Sequence, residues 1–156
     1  MSIERVKEYF KGYGMEDRVL EFPVSSATVE LAAAALGCEG CRIAKTLSFL
    51  VDGAAVLIVA AGDARVDNGK FKAFFHTKAK MLSPQEAADL VGHAVGGVCP
   101  FGVNEGVTTY LDISLKRFET VFPACGSSNS AIELTIPELE RYSNAVGWVD
   151  VAKQPA

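Results

Sequence analysis

The chain has 156 residues, 49% of them hydrophobic and 22% charged, the size and make-up of one compact domain able to bury most of its apolar surface. A net charge of -4 argues against a protein that coats nucleic acid non-specifically, and no uninterrupted apolar run of about eighteen residues offers a membrane span. The charged start "MSIERVKEYFKGYG" reads as a helix rather than a secretory signal, so a cytoplasmic chain is expected, its four cysteines reduced rather than forming a disulfide framework.

In "SIERVKEYF", Ile3, Val6 and Phe10 fall at helical spacing and predict a surface helix with one buried stripe. "SSATVELAAAALG" predicts a second helix, capped by Ser26 or Thr28 and ended by Gly37. The β-rich runs "RIAKTLSFLV" and "AAVLIVAAG" flank Asp52-Gly53, a dipeptide suited to a two-residue hairpin, which predicts neighbouring antiparallel strands. "SPQEAADLVG" carries Ser83 as N-cap, Pro84 at the first helical position, Glu86 to complete a capping box and Gly92 as terminator. "VTTYLDIS", "ETVFPAC" and "SAIELT" read as short strands, and "TIPELERYS" opens a last helix with Thr135 and Glu138 in capping-box positions. Strands with inserted helices, and no repeats or obvious linker, indicate a single α+β domain over residues 1–156.

Several residues could carry chemistry. Cys38 and Cys41 have the spacing of half a zinc site, but Cys99, Cys125, His76 and His93 are scattered singly and supply no second pair. The same two cysteines follow a helix C-terminus, whereas a redox pair gains its reactivity at a helix N-terminus, so turn material is the expected role. Lys45 is different. With period two, Ile43, Lys45, Leu47, Phe49 and Val51 share the more hydrophobic face of their strand, where an ammonium group needs a partner, a cleft or a ligand. A lysine snorkelling outward from an edge strand fits the pattern equally well.

In "GHAVGGVCPFG", Gly96 and Gly97 permit close backbone approaches and Pro100 stiffens the loop's return, so backbone N–H groups could face a carbonyl or phosphate oxygen. Between two expected strands, Gly126, Ser127, Ser128, Asn129 and Ser130 form a polar loop that binds a ligand or simply turns a corner. No Ser, Asp or Cys is placed with a histidine to make a nucleophilic triad legible. From Asp63 to Lys80 five cations face two carboxylates, a local surplus of +3, readable as a nucleic-acid footprint or as a solvated helix.

Taken in order, "RIAKTLSFLVDG", "GDARVDNGKFK", "VGGVCPFG" and "FETVFPACGSSNSAIEL" resemble the YbaK and prolyl-tRNA synthetase associated domain family, over about Val24 to Leu139. Members are free-standing or synthetase-inserted editing domains that hydrolyse wrongly charged aminoacyl-tRNA, typically tRNA for proline carrying alanine or cysteine. The resemblance implies a mixed, barrel-like central sheet flanked by helices, with the pocket between the lysine strand and the Gly-Gly loop. It implies Lys45 and Gly96 as catalytic residues, with substrate binding by Thr46, Gly97, Pro100, Gly102, Gly126, Ser127, Ser128 and Asn129. The acceptor end of an aminoacyl-tRNA becomes the expected partner, with tRNA contacts at Arg65, Lys70 and Lys72 and an association with prolyl-tRNA synthetase. Neither a metal, a cofactor, DNA nor a membrane belongs to that picture.

This chain departs from its relatives at the loop 125–129, where many cysteine-directed members have a Gly-Gly-x-Arg-Gly type sequence and alanine-directed members commonly a histidine. The amino acid is therefore left open. Two other classes remain beside deacylation: a non-catalytic tRNA- or nucleotide-binding module of the same fold, and an enzyme whose lysine forms a Schiff base with a carbonyl substrate.

Overall fold

The computed structural model describes residues 2–26, 28–94 and 96–153. Its centre is a hairpin. Strands β2 (Ile43–Val51) and β3 (Ala54–Ala61) pair antiparallel in the register Val51 with Ala54 through Lys45 with Ala60. Asp52 and Gly53 take φ of 51° and 80°, the two positive values that match a tight turn to the twist of its strands. Around the hairpin a six-stranded sheet runs in the order β8-β6-β2-β3-β5-β9, with β5 (Thr108–Asp112), β6 (Thr120–Pro123), β8 (Leu134–Thr135) and β9 (Gly147–Val149). The β2–β6, β3–β5 and β5–β9 pairs are parallel and the others antiparallel, so the expected mixed sheet is present, curled into a half-barrel.

Strand β3 is apolar throughout because both of its faces are covered. Val56 and Ile58 pack with Phe49, Leu47 and Phe71 on one side. Ala55 and Leu57 meet Leu82, Ala87 and Val91 on the other, where Val59 and Ala61 join the main core of Val6, Phe10, Phe101, Leu111, Leu115 and Leu139. Helix α1 (Ser2–Lys11) contributes Val6 and Phe10 to this core, as their spacing predicts. Helix α2 (Val29–Leu36) is capped by Thr28, whose hydroxyl accepts from the Leu31 N–H, and ends at Gly37 with φ 68°.

Several elements differ from the expectation. The basic segment forms helix α3 (Asn68–Phe75), capped by Asp67, and it is more than a solvated helix, since Phe71 is fully buried under the sheet. Helix α4 (Pro84–Glu86) has the full Ser83–Glu86 capping box, but continues over Ala87–Val91 as a wider π turn. There Asn104 donates from its backbone and side-chain nitrogens to the Val91 and Asp89 carbonyls, drawing them away from helical partners. "SAIELT" is two strands rather than one: β7 (Ser130–Ile132) pairs with β1 (Val19–Glu21), while β8 pairs with β6. The strand expected in "VTTYLDIS" stops at Asp112, whose carboxylate accepts from the Ser114 N–H and starts a 3-10 turn. Helix α5 (Ile136–Tyr142) has both halves of the Thr135–Glu138 capping box. The remaining pair, β4 (Arg65–Val66) with β10 (Ala152–Lys153), ties the chain's end to the segment before α3.

Candidate functional site

The free edge of β2 creates the site. On the side away from β3, β6 pairs only with Ile43 and Ala44. Farther along, residues 80–82 take over: the Leu50 N–H donates to the Lys80 carbonyl and the Leu82 N–H to the Ser48 carbonyl. Between these two neighbours, among the described residues, no strand covers Lys45 to Leu47. The sheet splits there.

A cavity of about 400 Å³ opens at the split. Lys45, Thr46 and Ser48 line it from β2, Gly96 and Val98 from the glycine loop, and Ser130 and Ala131 from β7. Val29 and Ala32 of α2, with Phe122 of β6, make its wall apolar. Among the described residues, Lys45 is the one ionisable group in this lining.

Lys45 is half-buried, and its Nζ donates to the carbonyl oxygens of Ala64 and, at 3.4 Å, Gly62. Burial lowers its pKa and Arg65 lowers it further, while Asp63 and Glu30 act in the opposite direction. Next to it, the Thr46 Oγ1 is buried without a hydrogen-bond partner among the described residues. An unpaired buried hydroxyl costs about 1–3 kcal/mol.

Gly96 takes φ 93°, a conformation that favours glycine. Gly97 is required for a different reason. A Cβ there would lie 2.6 Å from the Gly126 carbonyl carbon and the Ser127 nitrogen, so the glycine loop rests directly on the 126–127 backbone. A comparable contact joins the cysteine turn to the lysine: a Cβ on Gly62 would meet the Gly40 oxygen at 2.1 Å, and the Gly62 carbonyl is one of those that hold Lys45.

Of the residues expected from the sequence, Lys45, Thr46 and Gly96 meet in the cavity. Gly97 supports it from behind. Pro100 is buried, and Gly102 packs against Arg5 of α1, away from the lining. The loop Gly126 to Asn129 turns its polar groups elsewhere: Ser127 Oγ donates to Asn129 Oδ1 at 2.9 Å, Asn129 Nδ2 to the Phe22 carbonyl, and the Ser128 carbonyl accepts from the Ser26 N–H. Of that polar stretch, Ser130 alone reaches the cavity. Among the basic residues, Arg65 sits near Lys45, Lys70 is paired with Asp150 at 2.9 Å, and Lys72 is exposed on α3.

Sequence reasoning did not single out Ser48, although it shares the Thr46 face at period two. It also missed a buried contact, His93 Nε2 with the Phe101 carbonyl at 2.8 Å and Cys99 Sγ at 3.6 Å, which brings together residues six positions apart. Burial pushes the Cys99 thiol up to about 12, so it is no thiolate nucleophile at neutral pH. Cys38 and Cys41 carry free thiols in the turn between α2 and β2, and burial raises both.

Known proteins share this architecture. The chain is 54% identical over 154 residues to the uncharacterized protein YwhH of Bacillus subtilis (strain 168), covering 98% of each. It is 25% identical to the proline–tRNA ligase of Bacillus licheniformis over 97% of this chain, which spans 27% of that enzyme. A crystal structure described as a candidate trans-editing enzyme for prolyl tRNA synthetase superposes with a TM-score of 0.87 at 31% identity, over 97% of both chains. No helix among the described residues is long and apolar enough to cross a membrane. The model of the aminoacyl-tRNA editing domain matches residues 24–142, and the chain belongs to that family.

Proposed function

We propose that this protein is an aminoacyl-tRNA deacylase that works in trans in the cytoplasm as one editing domain over residues 1–156. Its substrate is the ester of mischarged tRNA, most simply tRNA for proline carrying cysteine, alanine or a similar small amino acid. The similarity to proline–tRNA ligases and to the candidate trans-editing structure supports this choice of tRNA and a partnership with prolyl-tRNA synthetase. The observation that carries the reading is the convergence of Lys45, Thr46 and Gly96 on one cavity with apolar walls.

The chemistry needs little from the protein. An aminoacyl ester is already activated, so holding it rigidly beside preorganised donors is enough to speed hydrolysis. Water attacks the ester carbonyl carbon, the bond to the ribose oxygen breaks, and that oxygen leaves with a proton as the free hydroxyl of the tRNA. Lys45, with the Gly96 amide, orients the ester and steadies the charge that develops on the carbonyl oxygen, while Gly97 holds the loop against the 126–127 backbone. As an ammonium with three N–H donors, Lys45 can serve the two main-chain carbonyls and still offer one N–H to the ester, whereas a Schiff base would leave its nitrogen at most one N–H for those carbonyls. Discrimination by size is needed because a synthetase pocket separates amino acids differing by one methylene by only about 1–3 kcal/mol.

Incubating the protein with tRNA for proline charged in turn with alanine, cysteine and proline tests the reading. At least one mischarged ester is hydrolysed faster than the correct one. Tight binding of all three without hydrolysis would favour the non-catalytic module instead.

A further inference from the structure

The two carbonyls that hold Lys45 belong to a turn that is itself fixed from outside the cavity. Residues 61–64 close on themselves, the Ala64 N–H donating to the Ala61 carbonyl at 3.0 Å, and Gly62 rests on the Gly40 backbone. This turn is tied to the 3-10 turn Ile113–Arg117 that follows β5. The Ala61 N–H donates to the buried Ser114 Oγ at 3.1 Å, and both oxygens of the Asp63 carboxylate accept from Arg117, at 3.0 Å from Nη1 and 2.5 Å from Nη2. The guanidinium is held in turn: its Nε donates to the Ser114 carbonyl at 3.0 Å, and its Cζ lies over the Phe118 ring at 4.8 Å. A planar fork on a carboxylate fixes direction as well as distance. Asp63 stands between Gly62 and Ala64, the residues whose carbonyls accept from Lys45. Its charge acts on the ammonium more than that of Arg65 or Glu30, yet among the described residues no ion pair joins Asp63 to Lys45. Arg117 occupies both of its oxygens.

We propose that Arg117, which does not line the cavity, is a positioning residue for Lys45: by gripping Asp63 it sets the turn whose two carbonyls aim the ammonium, and it keeps that carboxylate from pairing with the ammonium itself. The inference rests on the reading that Lys45 orients the ester. A lysine drawn into an ion pair with Asp63 would leave its two carbonyls and turn away from the substrate. The Arg117–Asp63 pair is partly exposed, so its worth lies in geometry rather than in stability.

The test combines deacylation kinetics with side-chain nitrogen NMR of the Lys45 ammonium across pH, on the full chain, with folding checked by thermal unfolding. Arg117→Ala is expected to lower kcat by about tenfold with KM little changed, as for a group that is misaimed rather than a substrate bound more weakly. Arg117→Lys recovers part of the rate, because it keeps one charge-assisted bond to Asp63. Arg18→Ala, which breaks the comparable two-bond pair with Glu138 outside the cavity lining, keeps the parent's rate. In Arg117→Ala the released carboxylate raises the pH at which Lys45 titrates, and adding Asp63→Asn reverses the rise, whereas a turn that had merely loosened and let water in would leave it raised in both. The parent's kcat in Arg117→Ala, an equal loss in Arg18→Ala, or a Lys45 titration that Asp63→Asn does not bring back would overturn the proposal. The two readings stay apart. If the parent hydrolyses no ester, the deacylase falls and the titration still decides the role of Arg117; if it hydrolyses one and Arg117→Ala matches it in rate and titration, the positioning role falls alone.

Discussion

Replacing Gly97 by alanine tests whether the glycine loop is held in place by backbone contact. The new Cβ would sit 2.6 Å from two main-chain atoms and 2.8 Å from the Gly126 oxygen, all of them backbone that cannot swing aside as a side chain could. Gly97 is not among the positive-φ glycines, so the cost is steric rather than conformational. Such overpacking costs about 1–3 kcal/mol, and at this chain length each kcal/mol lowers Tm by about 2–4 °C. Relief requires the 96–98 and 126–127 segments to part, which moves the Gly96 amide relative to Lys45. A displacement near 1 Å lowers a positioned reaction by about 100-fold. Gly147→Ala is the control, since an added Cβ there meets nothing within 4 Å. Thermal unfolding and single-turnover deacylation should show Gly97→Ala folded, less stable and slow, and Gly147→Ala close to the parent. A Gly97→Ala protein with the parent's Tm and rate would refute the reasoning.

Other substitutions separate stability from function. Thr46→Val removes a buried hydroxyl that has no hydrogen-bond partner among the described residues, so Tm should hold or rise by the equivalent of up to about 1 kcal/mol with deacylation close to the parent's rate; a fall in Tm would show that the hydroxyl is bonded in the folded protein. Glu138 is held at about 2 by its hydrogen bond to Arg18 and by capping α5. Its folded pKa is depressed, so its contribution is present above the ordinary value of 4.5 and is lost as pH falls from there towards 2; the gap in stability between the parent and Glu138→Gln, about 1–2 kcal/mol after solvent screening, should close over that window in urea titrations. Iodoacetamide followed by mass spectrometry should label Cys38 and Cys41 in the folded protein well before Cys99 and Cys125, which are fully buried.

Local rules made the central hairpin and the helix caps legible in advance. Asp52-Gly53 needs two positive φ values, Thr28 and Ser83 satisfy orphan N–H groups, and these requirements hold whatever surrounds them. Period two also placed Lys45 on the face of Leu47 and Phe49. What remained out of reach depends on contacts across the chain. The split that opens the cavity arises because β6 leaves β2 after Ala44 and residues 80–82 join it only from Ser48, and nothing in the β2 sequence records where its neighbours end. Gly102 and Gly97 look equivalent in sequence, yet one meets Arg5 and the other the 126–127 backbone. The polar loop 126–129 satisfies its own groups and those of residues 22–26, an exchange over a hundred positions that composition does not reveal. Short strands such as β1, β4 and β10 pair over two or three residues and lack the length for a periodic signal.

The central claim is that Lys45 and the glycine loop form an ester-hydrolysing site. It is tested most directly by comparing the parent protein with Lys45→Ala on tRNA for proline charged with alanine or cysteine, under single-turnover conditions and with folding checked by thermal unfolding. The account predicts that the parent clears at least one mischarged ester and that Lys45→Ala, still folded, is slower by about 100-fold or more, the scale of losing an oriented electrostatic group. A folded Lys45→Ala protein that hydrolyses the same ester at the parent's rate would contradict it.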